Sequence, residues 1–134
     1  MKNLVIEANV KKLSEVLAFI DESLEEAMCS VKTMMQVDIA VEEIFVNIAN
    51  YSYEGSTGEA EISIDITDSA ATIVFKDSGV QFDPLAKPDP DISLSAEDRK
   101  IGGLGIFMVK KNMDKVEYEY TEGKNILTLT KTLA

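Results

Sequence analysis

Three polar side chains on one predicted helix could together hold a ligand. The stretch from about Met34 to Asn50 has helical spacing and is apolar on nearly every side, so we expect this helix to be largely buried. Glu43 and Asn47 are four residues apart, which puts them on one face, and Asn50 follows a turn later. Burying these groups unpaired is costly, and a cavity holding water, a metal ion or a ligand would remove that cost. The alternative is a solvent-facing polar stripe.

A second group of candidate residues follows an apolar strand, in the stretch DSGVQFDP at residues 77–84. Asp77 ends the strand, where its carboxylate can point into a crevice beside the sheet. Gly79 permits a turn and a close approach of another group to the backbone. The alternative is an ordinary turn, because Asp, Ser and Gly are common turn residues.

The third candidate is the glycine-rich stretch IGGLGIFMVKKNMD at residues 101–114. Glycines at the start of a helix expose backbone N–H groups, and the first helical turn has unpaired donors and a partial positive charge. Gly103 and Gly105 could therefore let phosphate oxygens contact the main chain. The stretch lacks the G-K-[ST] ending of a P-loop and does not follow a strand. The alternative is a hinge for the segment that precedes it.

Composition limits the class of protein and of chemistry. The 134 residues fit one domain, and 24 acidic against 13 basic residues give a net charge of -11. This charge disfavours nucleic acid and anionic membranes as partners. With one cysteine and no histidine, the chain cannot form an internal disulfide or a Cys/His zinc site, and a general base must be Asp, Glu, Lys or Tyr. Without a signal peptide or a stretch of transmembrane length, we expect a soluble cytoplasmic protein.

Hydrophobic periodicity predicts the order strand, two helices, two strands, a long segment, a helix and two strands. The predicted elements are a strand at 3–8, helices from Asn9 and at about 34–50, strands at 61–67 and 71–77, a helix at 104–113, and a terminal hairpin around EGKN. The long segment, about 80–102, has the length expected of a lid, a binding loop or a disordered segment. We therefore expect an α+β, two-layer sandwich with a mixed, mainly antiparallel sheet covered by helices on one face.

Together, the three stretches resemble the nucleotide site of the ATPase superfamily shared by gyrase, histidine kinases and the heat-shock chaperones. EEIFVNIANYSY (42–53) resembles its N box, DSGVQFDP its first glycine box and GGLGIFMVKKNMD its second. The resemblance covers nearly the whole chain and implies the histidine kinase-like ATPase fold over residues 1–134, with an ATP lid at about 80–102. The small size, the lack of a phosphoacceptor helix pair and the C-terminal sequence resemble most the anti-sigma factor serine/threonine kinases.

The resemblance implies roles for the first two stretches. Asn47 would be a ligand of Mg²⁺, which prefers oxygen ligands. Glu43 would be the general base that takes a proton from a serine hydroxyl or from water. Asp77 would accept a hydrogen bond from the adenine amino group, and Gly79 would give the base room.

The resemblance also implies roles near the lid and the second glycine box. Gly103 and Gly105 would hold the phosphates of ATP, and Leu104 would mark the start of the helix beneath them. Arg99 and Lys100, at the end of the lid, are candidates to contact the terminal phosphate. The alternative for these two is an exposed charged pair.

Two positions depart from the pattern of the resembled family. Many relatives have a Gly-x-Thr in the last hairpin, and its hydroxyl assists the adenine-binding aspartate. Asn125 stands in that place here. An amide can also form a hydrogen bond there, with a different geometry. Gln81 stands where several relatives have a further glycine, which could stiffen the root of the lid.

Two functions follow from the resemblance. The first is an ATP- and Mg²⁺-dependent kinase that phosphorylates a Ser or Thr of a small anti-sigma factor antagonist. The second is an ATP-dependent binding module that sequesters a sigma factor or another regulator with little or no phosphoryl transfer. A third reading is an adaptor without nucleotide. Members of the resembled family often pair, so a homodimer is possible.

Overall fold

The architecture was established from a computed structural model that describes residues 1–53, 56–67, 69–86 and 103–133. The strands and helices follow the order predicted from the sequence. They are β1 (Lys2–Glu7), α1 (Leu13–Glu26), α2 (Val31–Asn47), β2 (Glu59–Ile66), β3 (Ala70–Asp77), α3 (Gly103–Asn112), β4 (Lys115–Thr121) and β5 (Lys124–Thr132). No helix within the described ranges has the length and apolar character needed to cross a membrane.

The strands form one five-stranded sheet in the order β1-β2-β3-β5-β4. We expected a mixed, mainly antiparallel sheet. Every pairing in the described part of the chain is antiparallel, so the described sheet contains no parallel pair. The helices pack on one face, which gives the expected α+β sandwich. A fully antiparallel sheet is possible because α3 leads into an edge strand, β4, and the final hairpin then returns β5 beside β3.

Alternation along the central strands decides which side chains lie beneath the helices. In β3, Ala71, Ile73 and Phe75 are buried, and Asp77 continues this alternation as the last residue of the strand. Successive side chains of a strand point to opposite faces, so Asp77 lies on the helix side of the sheet. The register places Asn125 of β5 directly opposite Asp77. Two polar side chains therefore meet at the end of the apolar core.

Helix α2 lies against this core and carries the predicted ligand residues. The Ser30 hydroxyl caps its first turn by accepting a hydrogen bond from the Thr33 N–H at 3.1 Å. The helix ends at Asn47 and continues into a π-helical turn, Ile48–Ser52. Its outer ridge is open to solvent, with Met35 60% and Ile39 36% exposed. The expectation of a largely buried helix is thus wrong for this ridge, because α1 and α3 and the core side chains of the sheet cover only the other sides.

Gly79 allows the end of β3 to pack against the turn that follows α2. A Cβ atom at Gly79 would lie 2.1 Å from the Ser52 carbonyl oxygen, well inside van der Waals contact. The same carbonyl accepts a hydrogen bond from the Val80 N–H at 2.7 Å. The close contact fixes the separation between the C-terminal end of α2 and the C-terminal end of β3.

A pair of carboxylates lies between α1 and α2. One oxygen each of Asp21 and Asp38 is buried with no hydrogen-bond donor among the described residues. The pKa of Asp38 is raised to about 8. The largest cause is burial, followed by the hydrogen bond with Asp21 and then by the negative charges of Asp21 and Glu42. A proton shared between Asp21 and Asp38 supplies the missing donor.

We predict that Asp38→Asn stabilises the protein more at pH 8 than at pH 5. The pKa of Asp38 is about 8 in the folded protein and about 3.9 in an unfolded chain, so folding takes up a proton between these values. The stability that this group contributes is fully present below about pH 4 and is lost as the pH rises towards 8.

Urea denaturation over this range measures the difference in free energy of unfolding between variant and parent. Asp65→Asn, which removes an exposed carboxylate of β2, is the control. A difference for Asp38→Asn that does not change with pH contradicts the buried pair.

We predict that Gly79→Ala lowers the free energy of unfolding by about 2 kcal/mol or more, because the new methyl group would overlap backbone atoms that cannot rotate away. Ser78→Ala is the matched control, since Ser78 is the exposed neighbour of Gly79. It should change stability by no more than about 0.5 kcal/mol. Urea denaturation of both variants decides the matter, and equal stabilities would show that the contact with Ser52 relaxes freely.

Candidate functional site

A narrow cavity lies between the C-terminal end of α2 and the covered face of β3, β5 and β4. Its volume is about 40 Å³, which is room for roughly three water molecules. Its walls are mostly apolar side chains, and its polar side chains include Asn47, Asp77 and Asn125. The lining residues are Ile44, Asn47, Ile48, Ser52, Phe75, Asp77, Phe82, Pro84, Tyr118, Asn125 and Leu127. An apolar cleft with a few convergent polar groups is the usual form of a small-molecule site.

Asp77 is the buried carboxylate of this cavity, with only 5% of the residue exposed. Its Oδ1 accepts hydrogen bonds from the Gly79 N–H and from the Asn125 amide, both at 3.0 Å. These two donors offset the cost of burying the carboxylate. Its Oδ2 accepts no hydrogen bond from the described residues and is the oxygen available to a ligand in the cavity.

Asn125 uses its whole hydrogen-bonding capacity. Its Nδ2 donates to Asp77 and to the Val80 carbonyl oxygen at 2.8 Å. Its Oδ1 accepts from the Phe82 N–H at 3.1 Å and from the Tyr118 hydroxyl. The orientation of the amide follows from chemistry, because the carboxylate and the carbonyl can only accept and the backbone N–H can only donate. Asn125 thus joins β5, the end of β3, β4 and residues 80–82.

The predicted residues of α2 differ in their relation to the cavity. Asn47 lines it, whereas Glu43 lies one helical turn earlier and is half-buried. Burial and then the neighbouring charge of Glu42 raise the pKa of Glu43. A raised pKa makes this carboxylate a better proton acceptor. Asn50 lies beyond α2 in the π-helical turn and is exposed, so it does not join the cavity.

The second glycine stretch begins α3, as predicted. Gly103, Leu104 and Gly105 form the first turn of this helix, whose leading N–H groups have no partner within the helix. Helix α3 packs along α2, the helix that carries Asn47. Arg99 and Lys100 lie outside the described residues, as does most of the predicted lid, of which residues 80–86 are described.

Sequence reasoning did not single out several residues that line the cavity, among them Tyr118, and it gave no separate role to Phe82 and Pro84 within the stretch 77–84. Alternation along β4 could have identified Tyr118, because Val116 and Tyr118 are its partly buried positions. No local pattern distinguishes Phe82 and Pro84 from ordinary loop residues. They reach the cavity because residues 80–82 are hydrogen-bonded to Asn125, which is more than forty positions away in the chain.

The sequence matches the histidine kinase-like ATPase domain family over residues 6–131. It is similar to serine-protein kinase RsbW of Listeria monocytogenes, with 28% identity over 103 residues that make up 73% of this chain and 66% of that protein. RsbW of Bacillus cereus is 31% identical over 93 residues, which cover 66% of this chain and 58% of that protein. The matched part is therefore less than two thirds of the length of either relative.

Two solved structures have a similar fold. The RsbU and RsbW domains of Rv1364c from Mycobacterium tuberculosis superpose with a TM-score of 0.66 at 16% identity, covering 99% of this chain and 33% of that chain. Histidine kinase AdeS from Acinetobacter baumannii gives a TM-score of 0.52 at 13% identity, covering 99% of this chain and 69% of that chain. At such identities the likeness concerns the fold alone. The sequence match over residues 6–131, however, spans nearly the whole chain, and the protein belongs to the histidine kinase-like ATPase domain family.

Proposed function

We propose that this protein binds Mg-ATP in the cavity and transfers the γ-phosphoryl group to a Ser or Thr of a small protein, an anti-sigma factor antagonist. The observation that carries the proposal is the state of Asp77. This buried carboxylate has one oxygen saturated by protein donors and the other available within an apolar cavity that Asn47 also lines. Such an oxygen suits the exocyclic amine of adenine.

The walls of the cavity suit a flat apolar ring. Ile48, Phe75 and Leu127 line the cavity together with Asp77 and offer apolar surface to a purine. The present volume of about 40 Å³ is too small for a purine. Binding therefore requires the Phe82 side chain and Pro84 to move outwards, while the Phe82 N–H keeps its hydrogen bond to Asn125. This movement changes the aromatic contact of Phe82 with the exposed Tyr51, whose ring centroids lie 6.4 Å apart.

The residues at the end of α2 and the start of α3 suit the rest of the nucleotide. The Asn47 side chain offers an amide oxygen, a ligand type that Mg²⁺ accepts. The first turn of α3 offers N–H groups that have no partner within the helix, and the positive end of a helix dipole, to phosphate oxygens. Magnesium also offsets part of the repulsion between ATP and a chain with a net charge of -11.

Glu43 is the proposed general base of phosphoryl transfer. When bound, Mg-ATP supplies the γ-phosphoryl group. The hydroxyl oxygen of the acceptor residue forms the new bond to phosphorus, the bond to the β-phosphate oxygen breaks, and ADP leaves. Glu43 takes the hydroxyl proton, for which its raised pKa suits it. The names of the relatives, both serine-protein kinases, support this class of reaction.

The second candidate function is ATP-dependent capture of a sigma factor or another regulator without phosphoryl transfer. The position of Glu43 favours it, because this residue is not among those that line the cavity. Both functions use the same nucleotide site. Phosphorylation of a bound partner would add charge to the interface and release it, whereas capture alone would leave the partner unmodified.

We predict that Mg-ATP at about a hundred times its dissociation constant stabilises the protein by about 2.7 kcal/mol and that Asp77→Ala abolishes this gain. The variant itself is destabilised, because Gly79 and Asn125 lose an acceptor. The gain must therefore be measured for each protein with and without nucleotide. Asp65→Ala, on an exposed position of β2, should keep the full gain. An equal gain in Asp77→Ala and the parent removes the adenine assignment.

We predict that Glu43→Gln slows phosphoryl transfer by about a hundredfold or more while partner capture persists. The parent protein first captures its partner from the native cell in the presence of Mg-ATP. The captured partner is then incubated with radiolabelled Mg-ATP and either the parent or a variant, and its phosphosites are mapped. Glu42→Gln, at the exposed neighbouring position, is the matched control and should transfer at the parent rate. A partner that the parent captures but never phosphorylates rejects the kinase in favour of the binding module. Normal transfer by Glu43→Gln rejects Glu43 as the base.

A further inference from the structure

We propose that the Tyr53 hydroxyl joins the two halves of the nucleotide site, so that one Mg-ATP molecule can contact both at once. The base half is the end of β3 with Asp77, and the metal half is the end of α2 with Asn47. This inference rests on the proposed function and adds a residue to it. Tyr53 is not among the residues that line the cavity, so it acts as a positioning residue.

The Tyr53 hydroxyl lies at the end of the β2–β3 ladder. Ala60 faces Asp77 in the last pair of this ladder, so Glu59 and Ser78 would face each other next. The hydroxyl instead lies between their main chains. It donates to the Glu59 carbonyl oxygen at 2.6 Å and accepts from the Ser78 N–H at 3.0 Å. A side chain that directly follows the turn after α2 thus holds both strand ends.

The ring of Tyr53 packs against a glycine. A Cβ atom at Gly58 would lie 2.2 Å from the ring, so the ring contacts the Gly58 main chain with no side chain between them. A larger residue at position 58 would push the ring aside. The position of the hydroxyl therefore depends on Gly58 as well as on Tyr53.

The hydroxyl provides a second attachment between the end of α2 and the end of β3. The first attachment is the Val80 N–H, which donates to the Ser52 carbonyl oxygen at 2.7 Å. A single attachment leaves the turn after α2 free to rotate about it, whereas two attachments fix its orientation. Asn47 and Asp77 then keep the separation at which one nucleotide reaches both. Binding to both halves therefore needs no further ordering of the protein.

The test compares a ligand that uses one half with a ligand that uses both. Adenosine needs only the base half, whereas Mg-ATP spans the two. We expect folded Tyr53→Phe to bind Mg-ATP about tenfold more weakly and to bind adenosine within about twofold of the parent. Isothermal titration calorimetry measures the dissociation constant of Mg-ATP, and NMR titration measures that of adenosine. A purely structural role would lower stability but leave both dissociation constants of the folded protein unchanged.

Two further variants complete the test. Gly58→Ala keeps the hydroxyl but displaces the ring, so it should reproduce the selective loss even where Tyr53→Phe does not fold. Ser56→Ala is the matched control, because the Ser56 hydroxyl donates to the main-chain carbonyl of Tyr53 at 2.6 Å. Its loss leaves the bridge from the Tyr53 hydroxyl to Ser78 intact. This control should bind both ligands as the parent does.

Unchanged affinity for Mg-ATP in Tyr53→Phe and Gly58→Ala, or an equal loss of affinity for both ligands, overturns the role of Tyr53 and leaves the proposed function standing. A parent protein that binds Mg-ATP without measurable affinity for adenosine also overturns it, because the base half then has no affinity of its own. A parent protein that binds neither ligand instead rejects the proposed function.

Discussion

The hydrogen bond between the Asn125 amide and the Asp77 carboxylate is the interaction on which the site depends. It joins the facing ends of β5 and β3, where their register places the two residues opposite each other. A carboxylate that is only 5% exposed must be stabilised by donors, and the Asn125 amide and the Gly79 N–H provide them. The same amide ties residues 80–82 and Tyr118 to the sheet. One side chain thus sets the position of a buried charge, its free oxygen and the segment that covers it.

The close packing at Gly79 sets the distance between the end of α2 and the end of β3 in the site. Because the backbone at Gly79 meets the Ser52 carbonyl without an intervening side chain, the turn after α2 lies directly against the end of β3. Asn47, at the last position of α2, therefore shares a cavity with Asp77, although the two are thirty residues apart in the chain. By the sequence resemblance, Gly79 gives room to the adenine base. Gly79 thus also has a packing role that is independent of any ligand.

Much of this architecture could be predicted from the sequence, because it depends on local periodicity. The alternation of Ile62, Ile64 and Ile66 in β2 and the apolar run before Asp77 gave the central strands, and the order of elements is confirmed. The position of Asp77 beneath the helices follows from the same alternation.

Periodicity could not show which sides of α2 have neighbours, so its exposed ridge was missed. It also could not show the pairing of Asp21 with Asp38 or the contact of Phe82 with Asn125, because these contacts depend on how separate elements pack together. Arg99 and Lys100 lie outside the described residues, and their role stays a prediction.

A crystal structure of the protein with Mg²⁺ and a non-hydrolysable ATP analogue tests the central claim most directly. The account predicts the adenine amino group on Asp77 Oδ2, the Asn47 amide oxygen on the metal, Phe82 and Pro84 displaced outwards, and the bond between Asn125 and Asp77 unbroken. An analogue bound elsewhere on the protein, or a bound purine that replaces Asn125 as the partner of Oδ1, would contradict it.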